Sequence, residues 1–329
     1  MRGFEAIWYG RSPLAWALIP AAVLFGLGVR LRRLAFRSGW LRVQRLPVPV
    51  IVVGNLTVGG TGKTPVVGWL AGVCRTAGYQ PGIISRGYGG RAHAQPRLVE
   101  PSDIAADVGD EPLLLRRQTG VPVCIHPDRA AAGRRLVAEG VNLLIADDGL
   151  QHYGLYRDLE IVVLDGERRL GNGWLLPAGP LREPAIRLRD VDLVVVNGGQ
   201  PQAGEVALQT RIRELRTLDG SRHCALEELR GQQVRVVAGI GNPARFHAEL
   251  AAAGLDVVPI AVADHGRVDL ARLCRESTVP VVMTGKDAVK YPVESGLLAG
   301  CVVWVAQLEV SLPPAVGDRI LEQLRSRGQ

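Results

Sequence analysis

Short apolar runs rich in valine, isoleucine and leucine recur along the chain, and the stretches between them space their apolar residues as helices do. Runs at Val50–Val53, Gly82–Ser85, Val121–Ile125, Leu143–Ala146, Leu159–Leu164 and Leu193–Val196 predict strands buried on both faces. Helices are predicted between them at Pro65–Ala77, Glu111–Gln118 and Arg129–Glu139. Strands alternating with helices in this way build a parallel sheet. The alternation resumes beyond Gly204, with strands at Val234–Ala238, Val257–Ala261, Val279–Met283 and Val302–Val305 and helices near Pro243–Ala252 and Val268–Cys274. The pattern predicts an α/β protein: a mostly parallel sheet over 46–203, a smaller α/β domain over 204–310, and a C-terminal helix over 311–329.

The first 45 residues depart from this pattern. Pro13–Val29 is apolar on all sides, is interrupted by Pro20, and is followed at once by Arg30, Arg32 and Arg33. Its length lies at the lower limit for crossing a bilayer, so a spanning helix and one lying in the interface are both open, as is a buried core helix. No small-residue cleavage site precedes the basic run, which argues against a signal peptide. Charge sharpens the picture. The formal net charge is +7, and Arg2, Arg11, Arg30, Arg32, Arg33, Arg37, Arg42 and Arg45 against Glu5 account for all of it. A basic end on a neutral body points to an anionic membrane surface rather than nucleic acid, with the arginine flank cytoplasmic. Cysteines 74, 124, 224, 274 and 301 are scattered and never form a CxxC pair, so neither a disulfide framework nor a zinc site is indicated.

The strongest chemical signal follows the first run, where Val50–Val53 leads through Thr57, Gly59, Gly60 and Thr61 to Gly62-Lys63-Thr64. A buried strand, a glycine-rich turn and a helix N-terminus together cradle phosphate oxygens on backbone N–H groups. In such a P-loop, Lys63 reaches the β/γ-phosphates of ATP and the Thr64 hydroxyl ligates Mg²⁺. The strict pattern wants glycine where Thr57 stands, but Gly59 and Gly60 still supply a permissive backbone. Leu143–Ala146 then delivers Asp147 and Asp148 to a strand tip, the form of the second nucleotide-binding element, and Gln151 and His152 make the cluster denser than a turn requires.

Other candidates carry weaker signals. Ser85-Arg86-Gly87-Tyr88-Gly89-Gly90 suits a substrate loop at a strand's carboxyl edge. Asp110 and Glu111 open a helix and read as capping chemistry on their own. Asn172–Pro184 is too rigid and too apolar for a linker, and Gly239-Ile-Gly241-Asn242-Pro243 is a glycine turn into a helix that could hold an anion. Asp264-His265 at a strand end is an acid/base candidate.

These motifs, taken in order, resemble the tetraacyldisaccharide 4′-kinase family of lipid A biosynthesis. The resemblance spans GNLTVGGTGKTP (54–65), SRGYGG (85–90), VGDEP (108–112), ADDGLQH (146–152), LLPAGPLREP (175–184), GIGNPARF (239–246), ADH (263–265) and TGKDAVK (284–290). It implies ATP-dependent phosphorylation of the 4′-hydroxyl of a tetraacylated, 1-phosphorylated glucosamine disaccharide at the cytoplasmic face of the bacterial inner membrane. It further implies Asp110 as catalytic base with His265 as its partner, Lys63 and Thr64 on the phosphates and Mg²⁺, and Asp147, Asp148 and Glu111 as metal-linked carboxylates. Arg86, Tyr88, Gln151, His152 and Arg182 become contacts to the lipid headgroup, and no stable protein partner is expected. Gly266 and Gly285 depart from the family pattern without removing a group the chemistry needs. The rival is a membrane-associated partitioning or positioning ATPase, whose loop carries a lysine where this chain has Val58.

Overall fold

The computed structural model describes residues 2–10, 12–263, 266–291 and 301–327. Two helices, α1 (Arg2–Trp8) and α2 (Leu14–Arg37), precede the sheet. In the first half, β1 (Val50–Gly54), β2 (Pro81–Ser85), β3 (Arg97–Leu98), β4 (Val123–Ile125), β5 (Leu143–Asp147), β6 (Leu159–Asp165) and β7 (Leu193–Asn197) alternate with α3 (Lys63–Thr76), α4 (Ala105–Val108), α5 (Asp110–Thr119) and α6 (Arg129–Ala138). The second half holds β8 (Glu205–Thr217), β9 (His223–Cys224), β10 (Gln233–Val237), β11 (Asp256–Ile260), β12 (Val281–Thr284) and β13 (Val303–Ser311). Its helices are α7 (Pro243–Ala252), α8 (Leu270–Glu276) and α9 (Gly285–Ala288), and α10 (Pro314–Arg327) follows.

The described strands join in the order β11-β10-β12-β13-β8-β7-β6-β1-β5-β2-β4-β3, with β9 beside β8. Pairing is parallel except at β3–β4, β8–β13 and β8–β9. β1 lies at the centre, and every one of its residues is buried because helices cover both faces. Ile51 and Val53 face a core built with α3, α5 and α10, while Val50 and Val52 face one built with α6. The parallel register sets Val53 beside Asp147 and Ile84 beside Ala146. The turns after β1, β2 and β5 therefore leave the sheet at one carboxyl edge, where open α/β sheets bind ligands.

β8 joins the two halves. Its first residues pair in parallel with β7, and its remainder pairs antiparallel with β13. The register slips between Gln307 and Leu308, so the buried positions shift from Leu208 and Ile212 to Leu215. That bulge disguises the strand in the sequence, because 208, 212 and 215 read as helical spacing. The chain crosses back after β13, where Leu312, Val316, Ile320 and Leu324 complete the core around α3.

α2 reaches Arg37, beyond the apolar run, because its basic C-terminal turns continue the helix and complement its dipole. Its mean hydropathy is 1.9 over the most apolar window, of which 17% is buried, so it is not a core helix. Ala22 and Gly26 form the buried strip, with Gly26 close against Leu175. At its C-terminal end Arg33 pairs with Asp190, and Arg32 and Phe36 lie against the Tyr153 ring. Trp16, Leu24, Leu27 and Leu31 remain exposed, and Trp40 in the following turn is 87% exposed.

Candidate active site

The loop after β1 is shaped for close backbone approach. Gly59 and Gly62 hold φ of 107° and 90°, which a side chain disfavours, and α3 begins at Lys63. Loop N–H groups and the first turn of α3 together offer donors to an anion. The side-chain oxygens of Asn55 and Thr61 are buried there without a hydrogen-bond partner. Thr57, expected in the loop, is buried and forms a backbone bridge to Leu181. From the second half, Gly241 meets the loop so closely that a Cβ on it would stand 2.7 Å from the Gly60 carbonyl oxygen. The glycine turn over 239–242 thus forms a wall of the same site.

Two aspartates at the tip of β5 have opposite electrostatics. Asp148 lies 3.4 Å from Lys63 Nζ and 3.3 Å from Arg182 Nη1. Burial pushes its carboxyl up, but Lys63 and Arg182 outweigh burial and hold it below the ordinary carboxylate range. Its φ of 49° is in the left-handed region, a conformation aspartate tolerates better than most residues. Asp147 is 1% exposed, and its Oδ1 has no hydrogen-bond partner. Burial, reinforced by the Glu111 charge, pushes it up to about 7 against the pull of Lys63.

Asp110 and Glu111 start α5 after Gly109, whose φ is 91°. Asp110 is buried, and its Oδ1 accepts the Glu111 N–H at 3.0 Å. Glu111 reaches across the join between halves to Lys286 on α9, at 3.2 Å. The turn over 86–90 stacks on this segment: a Cβ on Gly109 would come within 2.6 Å of the Tyr88 carbonyl oxygen. Arg86 and Tyr88 project from that turn, both exposed. Sheet edge and glycine packing thus bring 86–90 and 107–111 together.

Gln151 is tied into the loop over 172–184. Its Nε2 donates to the Asn55 carbonyl at 3.0 Å and to Glu183 Oε1 at 2.9 Å, and its Oε1 accepts from Arg182 at 3.3 Å. That loop also pairs with the glycine loop through Val58 N–H to the Pro180 carbonyl and Arg182 N–H to the Leu56 carbonyl. Its other side holds the N-terminal helices, with Trp8 Nε1 donating to the Pro177 carbonyl at 3.0 Å. Burial, with the positive charges of Arg129 and Arg157, lowers His152 to about 4, so it is neutral at physiological pH.

Several residues at the site escaped the sequence reading. Arg129 is 4% exposed and donates to the Asp147 carbonyl at 3.3 Å. Burial lowers it to about 10, so it stays charged behind the two aspartates. A cation in the first turn of a helix opposes the helix dipole, and that was the available signal. Glu183, 1% exposed, accepts from Gln151 and Tyr153 and pairs with Arg187. Asp264 and His265 lie outside the described residues.

A nucleotide and a divalent cation fit this donor set. The unpaired Asp147 oxygen, the raised proton affinity of that carboxyl and the neighbouring Asp148 suit a hard cation. Among the described residues no three His, Cys, Asp or Glu side chains cluster as a metal cage. A nucleotide-bound Mg²⁺ does not need one, because it takes one or two carboxylates and fills its other positions with phosphate oxygens and water.

A family model described as tetraacyldisaccharide-1-P 4′-kinase matches residues 14–325. The chain belongs to this family. A tetraacyldisaccharide 4′-kinase from Nitrosococcus oceani is 46% identical over 325 residues, covering 97% of this chain and 93% of the relative. One of the same name from Alkalilimnicola ehrlichii is 48% identical over 322 residues, covering 97% and 96%. Among solved structures, the family's enzyme from Aquifex aeolicus, described as an "apo" form in complex with ATP, superposes with a TM-score of 0.78. That protein is 28% identical, and the match covers 96% of this chain and 99% of the other. The family's fold is the one found here: a large, mostly parallel sheet preceded by an apolar helix.

Proposed function

We infer that the chain is an ATP-dependent kinase that phosphorylates the 4′-hydroxyl of a tetraacylated glucosamine disaccharide 1-phosphate in lipid A biosynthesis. The observation that carries this reading is the family match over residues 14–325, nearly the whole chain; Lys63, Asp110, Asp147 and Asp148 stand in the sequence motifs that resemble the family's. The family and its curated relatives support this kinase rather than the partitioning ATPase.

The residues divide the work as phosphoryl transfer requires. A sugar hydroxyl is a weak nucleophile, so catalysis rests on positioning and on stabilising charge at the phosphoryl oxygens. The glycine loop acts as a P-loop, with residues 59–64 holding the nucleotide phosphates. Asp148 restrains Lys63 from one side, and Arg182 balances the same carboxylate from the other. Asp110 accepts the proton of the 4′-hydroxyl, with His265 as its partner. Thr64, Asp147, Asp148 and Glu111 would hold Mg²⁺, which when bound would neutralise phosphate charge. Arg86, Tyr88, Gln151, His152 and Arg182 contact the headgroup.

The two halves are separate domains over 46–203 and 204–310 that bend about β8 in this reading, and α10 remains with the first. α2 attaches the protein to the cytoplasmic face of the inner membrane, where its exposed apolar side and the arginines meet anionic lipid. ATP consumption with and without a lipid disaccharide acceptor tests the kinase reading. Acceptor-independent turnover would favour an ATPase, and nucleotide binding with no turnover would favour a scaffold.

A further inference from the structure

A hydrogen-bonded relay between the two halves takes no part in the mechanism above. Asn197 ends β7, and its Nδ2 donates to the Thr61 carbonyl at 3.1 Å. Its Oδ1 accepts from Arg245 Nη1 at 2.6 Å, and Arg245 lies on α7 of the second half. The other guanidinium nitrogen donates to Thr210 Oγ1 on β8 at 2.7 Å. Only the amide nitrogen can donate to a carbonyl, and only its oxygen can accept from a guanidinium, so the Asn197 amide has a single orientation.

That orientation has a consequence for the glycine loop. The peptide between Thr61 and Gly62 is planar and trans, so its carbonyl and N–H point in opposite directions. Holding the carbonyl on Asn197 turns the Gly62 N–H the other way, as a donor beside the start of α3. Gly62 permits this approach because a Cβ there would overlap the Asn197 amide. The second half meets the first at two further contacts: Gly241 against Gly60 of the loop, and Asn242 Nδ2 to Glu167 Oε2, in the turn after β6, at 3.0 Å.

We propose that Asn197 and Arg245 are positioning residues that fix the Thr61–Gly62 peptide for the nucleotide phosphates, so that the second half completes the phosphate cradle. Arg245 can hold the Asn197 amide only while the start of α7 stays within side-chain reach of the end of β7. Phosphate binding and seating of the second half then favour each other to the same degree, as linkage requires. The proposal rests on the nucleotide reading of the glycine loop.

The test is ATP affinity by direct titration, together with steady-state KM for ATP and for the lipid acceptor. The variants are Asn197→Ala, Arg245→Met, the double variant, Arg245→Lys and, as reference, Lys63→Ala. Each single relay variant should weaken ATP binding by about five- to tenfold, the range of one net hydrogen bond, while KM for the lipid stays near wild type. Arg245→Lys keeps one donor and should recover part of the loss. The double variant should bind ATP no more weakly than Asn197→Ala, because Arg245 acts through Asn197. Losses that multiply in the double variant would overturn the relay. Wild-type affinity in Asn197→Ala alongside a large loss in Lys63→Ala would overturn the inference and leave the nucleotide site standing. Wild-type affinity in Lys63→Ala would overturn the site itself. If Asn197→Ala lacks a cooperative thermal transition, Arg245→Met decides alone: an unchanged KM for ATP refutes the proposal, and a raised KM for ATP with an unchanged lipid KM supports it.

Discussion

Replacing the exposed apolar side of α2 separates membrane attachment from the helix's structural role. Trp16, Leu24, Leu27 and Leu31 are 72%, 70%, 53% and 57% exposed, whereas Ala22, Gly26, Arg33 and Phe36 make the contacts to the body. Exchanging the exposed set for glutamine keeps helix propensity and every docking contact. Each large apolar side chain buried from water contributes about 1.5–3 kcal/mol, and an interfacial helix realises the lower end. About 6 kcal/mol is then removed in all, and each 1.4 kcal/mol is a tenfold change, so vesicle binding should fall by about four orders of magnitude. The assay is co-sedimentation with vesicles containing anionic phospholipid, with turnover measured on acceptor dispersed in detergent. The variant should stay in the supernatant and retain most of its detergent activity, because the loop over 172–184 keeps its helix contacts. Undiminished vesicle binding would refute the anchor. Activity lost equally in detergent would show that these side chains serve the folded body.

Other outcomes follow from the site. Lys63→Ala should lower kcat/KM by several orders of magnitude with a near-native melting temperature, since it removes a phosphate clamp; near-wild-type turnover would remove Lys63 from the chemistry. Asp110→Ala and His265→Ala should each be severe and clearly non-additive, and a double variant slowed by the product of the single effects would show that they act apart. His152, held near 4 against an ordinary 6.5, takes up a proton more readily unfolded than folded. Its contribution is therefore complete above about 6.5 and is lost as pH falls toward 4, so His152→Gln should melt less steeply with acid than wild type over that window. Parallel melting profiles from pH 7 to pH 4 would contradict the burial of His152.

Much of this architecture is legible because buried parallel strands advertise themselves. Val50–Val53 and Leu143–Ala146 are short apolar runs ending in glycine or aspartate, and the parallel register then sets Asp147 beside Val53. β8 was not legible. Arginines alternate with its buried residues, and the bulge opposite Gln307 and Leu308 breaks the period-two pattern. Sequence also located the lysine, the aspartates and the glycine loops but not what restrains them. Glu183, Asn197 and Arg129 look like ordinary polar residues until burial and partners are known. They act through contacts 18 to 136 positions away in the chain, which no local pattern encodes.

The central claim is phosphoryl transfer to a defined hydroxyl, and transfer from γ-labelled ATP to a tetraacylated disaccharide 1-phosphate tests it most directly. The product should carry label on the lipid in one-to-one ratio with ADP formed, with the new phosphate at the 4′ position on the distal glucosamine. Lys63→Ala and Asp110→Ala should form neither labelled lipid nor excess ADP. ADP released with the lipid unlabelled, or label at any position other than the 4′-oxygen, would contradict the account.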